Sequence, residues 1–144
     1  GIMANGSYLM ALATTQMLTV QANHLEMRLL RISEEKNLKH LQQSAEISRY
    51  SSEMMGLVEA KRNELGENPT SEEYRQNMAQ VEEIENEYQM IITSIQDTMN
   101  ANEKRLETQQ EVVETRLESI NSSLEEWDKL ALKKAEANGY FNNN

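Results

Sequence analysis

Apolar residues recur at helical spacing over two long stretches of this chain. In the first, Leu18, Leu25 and Ile32 stand seven apart with Ala22 and Leu29 between them, the seam pattern of a coiled coil. The stripe weakens across Ser33, Glu34, Glu35, Lys36 and Asn37. It resumes as Leu41, Ala45, Ser48, Ser52, Met55, Val58 and Leu65, where the small side chains suit a close helix approach. In the second stretch Met78, Ile92, Met99, Leu106, Val113, Ile120 and Trp127 fall on one seven-residue grid, broken only at Glu85. A companion row of Tyr74, Val81, Tyr88 and Ile95 turns polar at Asn102, Gln109 and Arg116. It reappears one residue later as Leu117, Leu124 and Ala131. Such a slip is a stutter-like defect that changes the supercoil locally.

The two stretches meet at the only proline, Pro69. Leu65 is the last apolar residue of the first run, and Gly66 suits the left-handed conformation that closes a helix. Pro69 cannot continue a helix and pushes Asn68 into extended geometry. Thr70 and Glu73 have the spacing of a capping box, and Glu72 and Glu73 place negative charge at the positive end of the following helix. So short a connection between long helices makes them antiparallel neighbours. The prediction is an all-α fold, a long antiparallel two-helix coiled-coil hairpin packed into a larger helical assembly. As one domain over 1–144, it has a helix over about 7–65, a turn at 66–70, a helix over about 71–137 and an Asn-rich tail at 138–144. Helices of about 60 residues would each run roughly 90 Å, and so thin a seam leaves much surface for neighbours to bury.

Folding the chain about residue 68 sets Asn102 near Glu34, Gln109 near Met27, the large Tyr88 opposite the small Ser48, and Trp127 against Leu9. Two polar lapses thereby coincide, and a polar layer of this kind weakens a coiled coil while fixing its register. Past Gly139, a predicted helix stop, Tyr140 and Phe141 either fold back on the apolar end or insert into a neighbouring subunit.

Charge sharpens this picture. The formal net charge is −10, but residues 1–25 contain no Lys, Arg, Asp or Glu. Residues 26–65 carry seven acids and seven bases, and residues 66–144 carry 17 acids and seven bases. The acidic balance argues against a nucleic-acid partner. The stretch from Ser7 to Val20 is apolar but interrupted by Thr and Gln, too short and too polar for a membrane span. No positively charged region precedes it, so no cleaved signal peptide is expected. Asn5 stands where a myristoylation motif needs Ser or Thr. An uncharged helix with apolar residues on several faces has more than one neighbour. The expected self-assembly or partner interface is therefore Tyr8, Leu9, Met10, Leu12, Met17, Leu18, Trp127, Leu130, Tyr140 and Phe141.

Chemistry-bearing motifs are few. The chain has no cysteine, hence no disulfide framework or thiolate metal site. His24 and His40 belong to no His-Glu-x-x-His motif, and Gln21 and Asn37 stand where a di-iron bundle would place Glu. Neither a phosphate loop nor a nucleophile elbow occurs. Asn5-Gly6-Ser7 and Asn121-Ser122-Ser123 match the short glycosylation sequon, which has meaning only in a eukaryotic secretory setting. The expectation is a non-enzyme with no catalytic, cofactor-binding or metal-binding residues and no cofactor. The nine Met read as core filler.

The uncharged amphipathic stretch from Tyr8 to Ser33, with Leu25-Glu26-Met27-Arg28-Leu29-Leu30-Arg31-Ile32-Ser33 at its end, resembles the terminal helices of flagellin. The hairpin plan resembles the filament and needle subunits of bacterial type III secretion. The likeness covers the first 33 residues and the layout; no outer domain is present, and the Asn-rich end differs from flagellin's. It implies a self-assembling structural subunit, a filament or oligomer built through its N-terminal helix, held in the bacterial cytoplasm or exported without a cleaved signal peptide. Its partner would be itself, or a partner helical protein. The alternative is a coiled-coil adaptor, export stalk or chaperone binding a partner helix. Export-gate stalks are long hairpins of similar length but are not expected to open with so neutral a segment.

Overall fold

The computed structural model describes residues 2–139. Two helices supply all the regular structure among them: α1, Ile2–Asn63, and α2, Ser71–Ala137. They pack against each other as an all-α helical hairpin. α1 starts five residues ahead of its predicted start and takes in Gly6.

The reversal is built differently from the expectation at Gly66. The only positive φ among the described residues is that of Gly139, at 76°, so Gly66 does not close α1 in a left-handed conformation. Instead the last turn tightens: the amides of Glu64 and Leu65 donate to the carbonyls of Lys61 and Arg62, each at 3.2 Å. These three-apart bonds satisfy carbonyls that the helix end would leave open. Pro69 lies in the connection, and Thr70 caps α2 as expected, its Oγ1 accepting from the Glu73 amide at 3.1 Å. The return bond from the Thr70 amide to Glu73 is not formed. Glu72 is the residue engaged, accepting from Arg75 Nη2 at 2.6 Å and from Gln76 Nε2 at 3.2 Å. The Arg75 guanidinium, then Gln76, holds the Glu72 carboxyl below its ordinary pKa. Replacing Thr70 by Ala is expected to cost about 1 kcal/mol, measured by urea denaturation. At the far end of α2, Gly139 does act as the helix stop, with Asn138 N donating to Lys134 O and Gly139 N to Glu136 O, both at 3.0 Å.

The chain divides into two compact units, one joining the segment up to Glu34 with that from Leu106 onward, the other covering Glu35–Arg105. In the first unit the seam follows a seven-residue repeat. Ala11, Thr15, Ala22, Leu25 and Ile32 are buried on α1, and Leu106, Val113 and Ala131 on α2. Leu25, Ile32, Leu106 and Val113 form the core cluster, with Leu29, Leu117 and Ile120 packed on it. On this side of the slip, the rows Leu106–Val113–Ile120 and Leu117–Leu124–Ala131 turn inward as predicted. A strict seven-residue repeat favours a left-handed supercoil.

The second unit obeys a different period. Its inward positions on α1 repeat every eleven residues, as Ile47 and Val58, Tyr50 and Lys61, Met54 and Leu65; on α2 they are Asn77, Tyr88 and Met99, with Val81 and Ile92. Eleven residues over three turns is 3.67 per turn, which straightens or reverses the supercoil. The seven-residue grid predicted here therefore holds only in part: Val58, Leu65, Val81, Tyr88, Ile92, Ile95 and Met99 face inward, but others do not. Leu41 is 66% and Met55 68% exposed, Ala45, Ser48 and Ser52 are exposed, and Tyr74 and Met78 also face outward. The mismatch accumulates with each repeat, so the true row is Gln43, Ile47, Tyr50, Met54 and Val58.

The register is displaced as well. Tyr88 faces Tyr50, ring centroids 6.3 Å apart, rather than Ser48. Tyr88 donates its hydroxyl hydrogen bond to Glu53 at 3.4 Å. Burial, then that carboxylate, raises the Tyr88 pKa. The Arg49 guanidinium lies 4.8 Å over the Tyr50 ring. Near the expected pairing of Asn102 with Glu34, the side chains that approach are Arg105 and Glu35, at 3.5 Å, a pair the sequence did not single out. In this unit the facing residues are displaced by two relative to a fold about residue 68, so the reversal centres on Pro69. One contact that anchors this register is Asn77. Its Nδ2 donates to Lys61 O at 2.6 Å, while its Oδ1 is buried without a partner. An orphaned buried acceptor costs about 1–3 kcal/mol. Lys61 O keeps a bond from the Glu64 amide without it. Asn77→Leu is thus expected to raise unfolding stability by about 1 kcal/mol and to loosen register, read as a higher urea midpoint with a lower slope.

Candidate functional site

The feature that hairpin packing does not account for lies on α1 within the first unit. With Leu25, Leu29 and Ile32 at seam positions, the residues that point away from α2 are those that ordinary coiled coils fill with charge. Here six of them are apolar, beside the uncharged Gln16, Asn23 and His24: Leu9 is 58%, Met10 73%, Met17 56%, Val20 55%, Met27 55% and Leu30 60% exposed. Thr14, Thr15 and Thr19 do not make the segment polar. Their hydroxyls donate to α1's own carbonyls, at Met10 (2.9 Å), Leu12 (2.7 Å) and Thr15 (2.8 Å) respectively. Spent this way, these side chains present mainly their methyl groups. The nearest charges along α1 are Glu26, Arg28, Arg31 and Glu34.

The predicted interface residues divide accordingly. Leu9, Met10 and Met17 lie on this outward face. Tyr8, Leu12 and Leu18 are half-buried. Trp127, at 37%, and Leu130, at 38%, are partly covered on α2. Leu9 does not serve as a buried partner for Trp127; Ala11, at 1% exposure, is the buried residue of that turn. Tyr140 and Phe141 lie outside the described residues. The turn residues Gly66, Pro69, Thr70 and Glu73 cap and reverse the chain and gather no further side chains of functional type. Val20, Met27 and Leu30 were absent from the expected interface. Their signal is a second seven-residue row, Ala13, Val20 and Met27, lying opposite the seam row and legible once the seam is known.

α2 offers a contrast. It is markedly more amphipathic than α1 and carries most of the acidic residues, although single apolar side chains such as Met90 and Val112 are exposed along it. The depressions along the helices, such as that lined by Glu46, Tyr50, Met90, Ile91, Ser94 and Ile95, are open to solvent. Among the described residues no three His, Cys, Asp or Glu side chains gather in a way that could hold a metal ion. No helix among them is long and apolar enough to cross a membrane. No protein-family model matches the chain, and no curated protein or solved structure matches it.

Proposed function

We propose that this chain is a non-catalytic structural subunit that assembles with copies of itself through the uncharged outward face of α1. The observation that carries the reading is the row of six Leu, Met and Val side chains from Leu9 to Leu30, each more than half exposed at positions remote from α2. A concentration of exposed apolar side chains of this kind marks an interaction site. Burial of each such side chain contributes about 1–2 kcal/mol when a second surface covers it.

Charge supports a like partner. Residues 66–144 hold the whole net charge of −10, so two copies that met through α2 would bring acidic surfaces together. Meeting through the neutral part of α1 avoids that repulsion. The layout shared with hairpin subunits of bacterial secretion and flagellar systems supports a filament or oligomer as the product. The alternative is an adaptor that lays the same face on a helix of a different protein.

Removing residues 2–20 separates the two. For a self-assembling subunit, light scattering of the intact chain gives a mass above 16.6 kDa and the truncated chain loses that excess. Negative-stain microscopy of the intact chain then shows ordered particles or filaments. An intact chain that stays at 16.6 kDa overturns the proposal and leaves the adaptor.

A further inference from the structure

Resting on that reading, we infer that two copies join antiparallel through α1, related by a two-fold axis that passes beside Val20. The first reason is spacing. A two-fold contact must be self-complementary, each residue meeting the partner's residue at the mirrored position. On the outward face Met10, Ala13, Val20, Met27 and Leu30 are separated by three, seven, seven and three residues, a series that reads the same in both directions, while the exposed Leu9 and Met17 fall opposite Arg31 and Asn23. Laid antiparallel about Val20, Met10 meets Leu30 of the second copy, Ala13 meets Met27, and Val20 meets its own counterpart. The small Ala13 faces the long Met27, and the pair fills the gap that two large side chains would overfill.

The second reason is charge. α1 has no charged residue before Glu26. In the antiparallel pair Arg31 faces Leu9 and Glu34 faces Gly6, so no charged residue of this face meets another. A parallel, in-register pair sets Arg31 and Glu34, the charged residues on this face, each against its own copy, and like charges in contact are penalised. His24, the remaining titratable side chain on this face, lies opposite Gln16 in the antiparallel pair, able to exchange a hydrogen bond with it. In the parallel pair it meets a second His24.

The absence of cysteine makes the arrangement directly testable. Single variants Met10→Cys, Val20→Cys and Leu30→Cys are treated with a short thiol-specific bismaleimide, alone and mixed in pairs, with sedimentation run on each unreacted sample. Packed helix axes lie about 8–10 Å apart, within reach of such a reagent. In the antiparallel pair two copies of position 10 are about 30 Å apart along the axis, beyond its reach. The expected result is covalent dimer from Val20→Cys alone, and from Met10→Cys only when mixed with Leu30→Cys. Self-cross-linking of all three variants means parallel pairing and overturns the inference while leaving self-assembly intact. An assembled sample in which none cross-links places the contact on another face and overturns it too. Monomeric sedimentation of all three variants, with an equally monomeric unsubstituted chain, removes the proposed function along with it.

Discussion

Leu106→Ala is expected to destabilise the hairpin by about 3 kcal/mol, within the roughly 2–5 kcal/mol range for truncating a fully buried leucine. Leu106 is 1% exposed and shares its cluster with Leu25, Ile32 and Val113, with Leu29, Leu117 and Ile120 packed on it. A seam between two helices has one layer of side chains and no second shell to collapse into the space left behind. Against a total stability of about 5–15 kcal/mol for a folded domain, such a loss is a large fraction. An exposed valine on the same helix supplies the control. Val112 is 56% exposed, and Val112→Ala is expected to stay within about 0.5 kcal/mol of the unsubstituted chain. Urea denaturation followed by circular dichroism reads both, at a fixed protein concentration because association contributes to apparent stability. Equal effects of the two substitutions would mean that the inward row is misplaced.

Val20→Glu has its largest expected effect on association and little on the fold. Val20 points away from α2 and is 55% exposed, so a carboxylate there remains hydrated in a single chain. Across a two-fold contact the introduced carboxylates would face each other in a desolvated surface, which costs several kcal/mol. Each 1.4 kcal/mol is tenfold in affinity, so the dissociation constant of the assembly is expected to rise at least a hundredfold. Far-ultraviolet circular dichroism should keep its helical signal. Gln80→Glu adds the same charge at an exposed position of α2, and it is expected to leave the assembly mass unchanged. If both variants dissociate alike, net charge and not the α1 face is responsible.

Much of the fold was legible because the signals were redundant. Pro69 and Thr70 placed the reversal, and Leu18, Leu25 and Ile32 placed the first unit's seam by spacing alone. The second unit was less legible because apolar residues at seven-residue spacing coexist there with an eleven-residue inward repeat. Ile47, Tyr50 and Met54 carry the true row, yet Leu41, Ala45 and Met55 fit the template and are outward-facing. Polar residues at inward positions, Gln43 and Lys61 among them, diluted the correct signal further. Register was displaced for a related reason. Asn77 caps the Lys61 carbonyl through a side-chain bond, and no spacing rule announces such a bond.

The candidate surface was legible in kind but not in outline. Missing charge from residue 1 to 25 identified the segment. Which of its apolar residues face inward depends on the seam phase, and that phase separates Leu18 and Leu25 from Val20 and Met27. Half-buried Leu12 and Leu18 therefore left the exposed face, and Val20, Met27 and Leu30 joined it. Counting apolar residues along a helix rich on all sides cannot divide them; the position of the neighbouring helix does.

Sedimentation equilibrium of the intact chain over a wide concentration range bears most directly on whether α1 is an assembly surface. The expected result is a weight-average mass at or above twice the 16.6 kDa of one chain, falling on dilution and insensitive to added salt because the contact is uncharged. A mass that stays at 16.6 kDa up to the highest concentration would contradict it.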